Sequence, residues 1–366
     1  MAETTSAGAG SGDVLLELRN VVKHFPLKSD KLISREREYV HAVEDVSLQV
    51  RRGETLGLVG ETGCGKSTLA RCVAHLYPVT SGQVIFDGAD ISKFSSRRMR
   101  PLRRDIQIIF QDPYGSLNPR RRVGSIIGDP FAIHRIASGE ERKRKVQHLM
   151  ELVGLNPEHY NRFPAEFSGG QRQRIGVARA LAFTPKLIIC DEPVSALDVS
   201  IQAQILNLLS DLQSELGLTY IFIAHDLSVV RHVSDRVAVM YLGKIVEQAP
   251  VDAMWAHPRH PYTDALLSAV PLPDPEHALK RERIILAGDV PSPIHVPSGC
   301  RFHPRCPKAR PTCVSTEPEL GVSMDDAADH VVACHFPVAD GEDISQSTPQ
   351  IAEEERVVES GLIAGS

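Results

Sequence analysis

Polar and apolar residues alternate along "VLLELRNVVKHF" (14–25) and again along "YVHAVEDVSLQV" (39–50), the second run ending in the turn "RRGE". A period of two predicts half-buried strands, with 14–25 reading as a strand pair, so the chain opens β-rich. The apolar runs "ETLGLVG" (54–60), "LIIC" (187–190) and "TYIFIAH" (219–225) do not alternate. Short continuous runs of this kind predict strands covered on both faces, as in a parallel sheet, and the helical patterns between them give an α/β fold. In "EERKRKVQHLMELVG", Val146, Leu149, Met150 and Val153 recur at helical spacing before Gly154. This predicts an amphipathic helix with a glycine stop. Its Lys/Arg face carries no interleaved aromatics and reads as solvated rather than as a nucleic-acid surface.

At 366 residues the chain has room for two domains. A main domain is expected over 13–255, with a turn-rich, arginine-rich and then helical segment at about 112–170. Proline and histidine crowd in from 256, which marks a boundary and begins an extension over 256–337. The ends, 1–12 and the acidic 338–366, read as disordered tails. A net charge of −5 gives no global reason to expect nucleic acid as a partner. The N-terminus has neither a basic start nor an apolar run, so a secretory signal is not expected. No apolar run approaches the ~20 residues that span a bilayer. An intracellular protein is therefore expected, reaching any membrane through a partner, and clustered cysteines there point to metal or redox chemistry before disulfides.

"GETGCGKST" (60–68) fits G-x-x-x-x-G-K-[ST] directly after a buried strand and before the helical stretch "LARCVAHLY". That context makes it a P-loop. Gly60, Gly63 and Gly65, with Glu61, Thr62, Cys64 and Thr68, would wrap backbone N–H groups round phosphate at a helix N-terminus. Lys66 would reach the β- and γ-phosphates, and Ser67 would ligate Mg²⁺. "KLIICDEP" places Asp191 and Glu192 at the carboxyl end of another buried strand, where ligands of open α/β sheets bind. Asp191 suits Mg²⁺, usually through water, and Glu192 suits a general base toward the attacking water. His225 ends a further strand, where its imidazole could contact the γ-phosphate.

The run "FSGGQRQR" (167–174), standing after the helical segment and shortly before "LIICDEP", resembles the signature of ABC-type ATPases. The order also matches that family: P-loop, "IIFQDP" with Gln111, signature, "CDEPVSALD" ending at Asp198, then His225. The resemblance implies a RecA-like parallel core sheet with an N-terminal antiparallel β subdomain, a helical subdomain and a small C-terminal cysteine-containing domain. It implies ATP and Mg²⁺ as ligands, with Gln111 reaching toward Mg²⁺ and the γ-phosphate. It also implies a head-to-tail dimer in which Ser168, Gly169, Gly170, Gln171 and Asp198 face the nucleotide of the other subunit. An aromatic that stacks on adenine is expected before the P-loop, Phe25 in the better position and Tyr39 second.

The long spacer before "HAVEDVSL", "QDPYGSLNPR", "PVSALDVSIQAQILNLL" and "HPYTDALLSAVP" look like the ATPase subunits of oligopeptide and dipeptide importers, over about 14–337. The partners so implied are a second ABC ATPase subunit, identical or paralogous, two transmembrane permease subunits and an extracytoplasmic solute-binding protein, with no nucleic acid. The place implied is the cytoplasmic face of the membrane, as a peripheral subunit. The same subfamily includes importers of nickel and other small solutes. A soluble ABC ATPase acting on ribosomes or DNA is the opposing class, and the single P-loop without a heptad insert speaks against it.

Of seven cysteines, Cys64, Cys72 and Cys190 read as buried small apolar residues. Cys300, Cys306, Cys313 and Cys334 are spaced C-x5-C-x6-C-x20-C, without the tight knuckles of structural zinc sites. Arg301, Arg305 and Arg310 beside them would favour thiolates. A [4Fe–4S] cluster on these four, as the peptide-importer resemblance also implies, is the leading expectation. Zn²⁺ and free or disulfide-forming thiols are the alternatives.

Overall fold

The computed structural model describes residues 13–27, 38–112, 115–270, 283–322 and 329–351. The expected 1–12 tail, parts of the 112–170 and 256–337 segments, and the end of the chain from 352 lie outside these. Strands β1 (Val14–Pro26) and β2 (Tyr39–Arg51) pair antiparallel, and β1 also pairs with β4 (Ser81–Phe86), which β5 (Ala89–Asp90) follows. Residues 14–25 thus form one long strand rather than a pair. Register shifts at Leu18/Val21 and Val21/Lys23 break its alternation, which is what imitates a turn in the sequence.

Among the described residues the second sheet has eight strands. β3 (Thr55–Val59), β6 (Ile106–Ile109), β7 (Leu187–Asp191), β8 (Thr219–Ile223) and β9 (Arg236–Tyr241) form its parallel part in the order β9-β3-β8-β7-β6. Every residue of β3, β7 and β8 is buried, as unbroken apolar runs require. One apolar cluster joins the sheet to β1, β2 and helix α1 (Lys66–Val73). Another joins its opposite face to a helical layer. That layer comprises α3 (Val123–Ile133), α4 (Gly139–Leu152), α5 (Gly169–Ala180) and α6 (Val199–Leu216), after the short α2 (Ser96–Leu102) on the other side. In α4 and just beyond it, Val146, Leu149, Met150 and Val153 are the buried side, and Gly154 follows with φ 70°.

After α7 (Leu227–Val233), β9 turns into antiparallel β10 (Lys244–Pro250), which leads to α8 (Val251–Ala256) and α9 (Pro261–Ser268). The extension returns to the sheet: after α10 (Pro311–Ser315), β11 (Gly321–Val322) and β12 (Val331–Val332) add to the edge of β10. The buried carboxylate of Glu247 pins this junction by accepting from the N–H groups of Arg259 (2.7 Å) and His260 (2.8 Å) and from His330 Nε2 (2.7 Å). A buried acid needs such a full set of donors. Residues 338–351 are not a loose tail: Val338 and Ile344 are buried, and Gln350 N–H donates to Ala309 O (2.8 Å). Val338, Ile344 and the half-buried Ile351, with ion pairs from Asp340 to Arg259 and from Glu342 to Lys308, dock this largely polar stretch. Among the described residues no helix is long and apolar enough to cross a membrane.

Candidate nucleotide site

The loop between β3 and α1 carries Gly60 at φ 146°, Gly63 at 84° and Gly65 at 110°. A side chain at Gly65 would put Cβ 2.1 Å from Ala42 O, and one at Gly60 would lie equally close to Met240 O. Glycine is therefore required by space as well as by φ, and the backbone is left open to phosphate. Lys66 is 4% exposed, and its ammonium donates to the carbonyls of Gly60 (2.6 Å) and Glu61 (3.0 Å). Thr62 and Gly63 are exposed, Cys64 is buried, and Thr68 is half-buried in the first turn of α1.

Ser67 Oγ donates to Asp191 Oδ1 at 2.7 Å, joining the start of α1 to the end of β7. Burial raises the Asp191 carboxyl above its ordinary range, while the Ser67 hydrogen bond opposes the rise. A buried carboxylate beside a hydroxyl is a fitting donor set for a hard divalent cation such as Mg²⁺.

Beyond it, Gln111 Nε2 donates to Glu192 Oε2 at 2.8 Å, and His225 Nδ1 stands 3.3 Å from the same oxygen. One carboxylate oxygen thus gathers residues following β6, β7 and β8. Glu192 has φ 48°, unusual for a side chain with a Cβ, and its N–H donates to Ile223 O while its carbonyl accepts from Ser195 Oγ. Strain held by its surroundings is typical of functional positions. His225 is 55% exposed and opens toward solvent.

The signature lies on the surface at the start of α5. Ser168 Oγ accepts from Gln171 N–H (3.3 Å) and Gln171 Oε1 accepts from Ser168 N–H (3.0 Å), a closed capping box. Ser168 and Gln171 are exposed, Gly169 is half-buried, and Gly170 packs under Ile201. Asp198, also exposed, stands at the N-cap position of α6, and its side chain makes no capping hydrogen bond there. Phe25 meets Tyr77 edge-on at 5.4 Å with Lys23 Nζ 4.8 Å above its ring, and Tyr39 is 38% exposed.

Two family descriptions match the chain, "ABC transporter" over 43–195 and "Oligopeptide/dipeptide transporter, C-terminal region" over 246–313. The chain is 53% identical over 329 residues to the oligopeptide transport ATP-binding protein AppF of Bacillus subtilis, covering 90% of this chain and 99% of that one. It belongs to the ATP-binding subunits of oligopeptide and dipeptide ABC transporters. The oligopeptide transport ATP-binding protein OppF of Escherichia coli is 51% identical over 88% of this chain and 96% of its own length. Among solved structures, the dimeric post-hydrolysis form of the ATP-binding cassette MJ0796, bound to ADP and Pi, is 29% identical with a TM-score of 0.57. It covers 65% of this chain and 99% of that one. The fold is the RecA-like ABC ATPase fold with its N-terminal antiparallel subdomain, and the activity is that of an ABC-type ATPase.

The expected metal on the cysteines does not hold. Cys300, Cys306, Cys313 and Cys334 border one small cavity with His260, Phe302 and Phe336. Yet among the described residues the only group of three or more ligand atoms within 4.8 Å is His24, His41 and Glu44. The cysteines are free thiols, so neither a [4Fe–4S] cluster nor a Zn²⁺ site is supported. The sulfurs are not gathered into a ligand group, and the neighbouring arginines have other partners. Arg301 reaches Leu242 O and Glu44, Arg305 turns to Glu61, and Arg310 lies over the Phe336 ring. With those charges aimed elsewhere, burial pushes Cys300 up to about 11, Cys334 to about 12 and Cys306 well above its ordinary range. Neutral buried thiols behave as small apolar groups. The His24–His41–Glu44 group already holds the Arg301 guanidinium, 3.5 Å from Glu44 Oε2.

Sequence reasoning assigned Glu61 only to the nucleotide loop and missed its side-chain partner. Its carboxylate receives both arms of Arg305, at 2.7 and 3.1 Å, and its N–H donates to Tyr262 Oη at 2.8 Å. No local pattern pairs residues 244 positions apart.

Proposed function

We propose that this chain is one motor subunit of an importer whose cargo is oligopeptides or dipeptides. The observation that carries the reading is the meeting of Gln111, Glu192 and His225 on one carboxylate oxygen beside the Ser67–Asp191 pair and the P-loop. In it, the P-loop from Gly60 to Thr68 wraps the phosphates and Lys66 leaves its carbonyl partners for the β- and γ-phosphates. Ser67, Asp191 and Gln111 are the residues that would hold the Mg²⁺ accompanying ATP, and that ion would supply charge neutralisation. Glu192 takes the proton of the attacking water, and His225 steadies the γ-phosphate side. Phe25 or Tyr39 stacks on adenine.

The exposed capping box at Ser168–Gln171 and the exposed Asp198 suit contact with the nucleotide of a second ATPase subunit, identical or paralogous. The dimeric form of the similar cassette supports that arrangement. Two permease subunits and an extracytoplasmic solute-binding protein complete the transporter, with this chain peripheral on the cytoplasmic side. We divide the chain into an ATPase domain over 13–255 and an extension over 256–337, the matched C-terminal region beginning slightly earlier, at 246.

Uptake of labelled peptides by cells lacking the protein, complemented with wild type or Glu192→Gln, tests this. Peptide uptake should be lost, restored by wild type and not by the variant. Intact peptide uptake with loss of nickel or another solute would overturn the cargo assignment.

A further inference from the structure

The extension meets the P-loop at Glu61 and holds it from two sides. All three polar groups of Glu61 are engaged. Its N–H donates to Tyr262 Oη on α9, its carboxylate accepts both arms of the Arg305 guanidinium, and its carbonyl accepts from Lys66 Nζ. Two of these partners come from the extension and the third is the lysine of the phosphate site. A chain of direct contacts therefore runs from Arg305 through Glu61 to Lys66.

The contact is built rather than incidental. Arg305 is 8% exposed and sits in the turn His303–Arg305, with its Cζ 6.0 Å from the centre of the Tyr241 ring. Tyr241 packs edge-on against Tyr262 (4.7 Å) and Phe302 (5.2 Å), so both arms that reach Glu61 grow from one aromatic cluster. Among the described residues the Nε of Arg305 has no hydrogen-bond partner, and Glu61 is the carboxylate paired with its buried charge, with Tyr241 beside it. A planar fork against a carboxylate also fixes orientation, which a point charge does not. The loop is also held at Gly60 and Gly65, which pack against Met240 O and Ala42 O, and at Cys64 O by the Gly243 N–H (2.8 Å); Glu61 is the point at which the extension adds its own hold.

We propose that Arg305 is a positioning residue of the ATP site, holding the P-loop through Glu61 and coupling the order of the C-terminal extension to nucleotide occupancy. Coupling of this kind is reciprocal: if the extension favours the binding-competent loop, bound nucleotide must in turn favour the docked extension. The proposal rests on ATP binding at the P-loop. A wild-type chain that failed to bind ATP would defeat that reading, whereas the present one is judged only against a wild type that binds.

The test uses the full chain and a fluorescent ATP analogue with Mg²⁺, with hydrogen exchange followed over 298–315. Arg305→Met should raise Kd about tenfold and leave kcat at saturation within about twofold, since the group orients the loop without touching the reacting atoms. Arg305→Lys should fall between, because it keeps the charge and loses the fork. Nucleotide should slow exchange over 298–315 in wild type and not in Arg305→Met. Glu61→Gln probes the same link from the loop side, and carries the test if Arg305→Met fails to fold. The double variant should bind no worse than the weaker single one. Unchanged Kd in both single variants, additive losses in the double, or nucleotide-induced protection that persists in Arg305→Met would each overturn the proposal.

Discussion

The phosphate loop and the cysteine segment are packed against each other, and each looks like a binding site in the sequence, but only one has its chemistry in place. In the loop, backbone groups are the ones proposed to bind phosphate, and backbone geometry follows from the local run of glycines. In the cysteine segment, among the described residues, the sulfurs are not brought within ligand distance of one another as a group, and the three neighbouring arginines, Arg301, Arg305 and Arg310, engage Glu44, Glu61 and Phe336. Adjacency in sequence supplies a charge, and the fold decides which group receives it. The arginine nearest Cys306 ends up serving the ATP site.

The sharpest way to break the contrast is to give the loop a side chain. Gly65→Ala would force Cβ to within 2.1 Å of Ala42 O at a φ of 110°. It should cost roughly 3 kcal/mol or more of stability. It should also weaken ATP analogue binding by about 100-fold or more, read by thermal melting and nucleotide titration. An Ala variant that binds normally would mean the loop is not held as described.

A smaller effect is expected from acid. Burial raises the Asp191 carboxyl, so its charged form is lost at a higher pH than for an exposed aspartate with the ordinary 3.8. Holding Mg²⁺ needs the carboxylate, so protonation competes with binding. Affinity for the Mg²⁺ nucleotide should therefore decline as pH falls toward the raised value and recover above it. Asp191→Asn should bind weakly with little remaining pH dependence, as titration across a pH series would reveal. The same decline in Asp191→Asn would assign the titration to another group.

The mildest prediction concerns the thiols. With Cys300 at about 11 and Cys334 at about 12 against an ordinary 9.0, the thiolate fraction at pH 8 is about 100-fold or more below that of the unfolded chain. Alkylation mapped by mass spectrometry should be slower by at least that factor in the folded protein. Reaction at the unfolded rate would mean that the segment is open and that its thiols are not held neutral by burial.

How much of this was legible follows the same division. The buried strands at 55–59, 187–191 and 219–223, the P-loop and the order of motifs up to His225 could be read because each rests on a local run of residues. The strand over 14–26 was misread as two, since its register shifts imitate a turn. The acidic stretch after 338 was read as loose because two buried residues, Val338 and Ile344, weigh little in its composition. The Glu61–Arg305 pair could not be read at all, because each partner has a sufficient local explanation, one in a phosphate loop and the other beside a cysteine.

The most direct test of the motor assignment is ATP turnover of the assembled transporter with Glu192→Gln in this chain. The account predicts retained ATP binding with turnover from this site reduced about 10²–10⁴-fold, since the water loses its base while the phosphate contacts remain. Turnover at the wild-type rate would remove Glu192 from the base role and contradict the account.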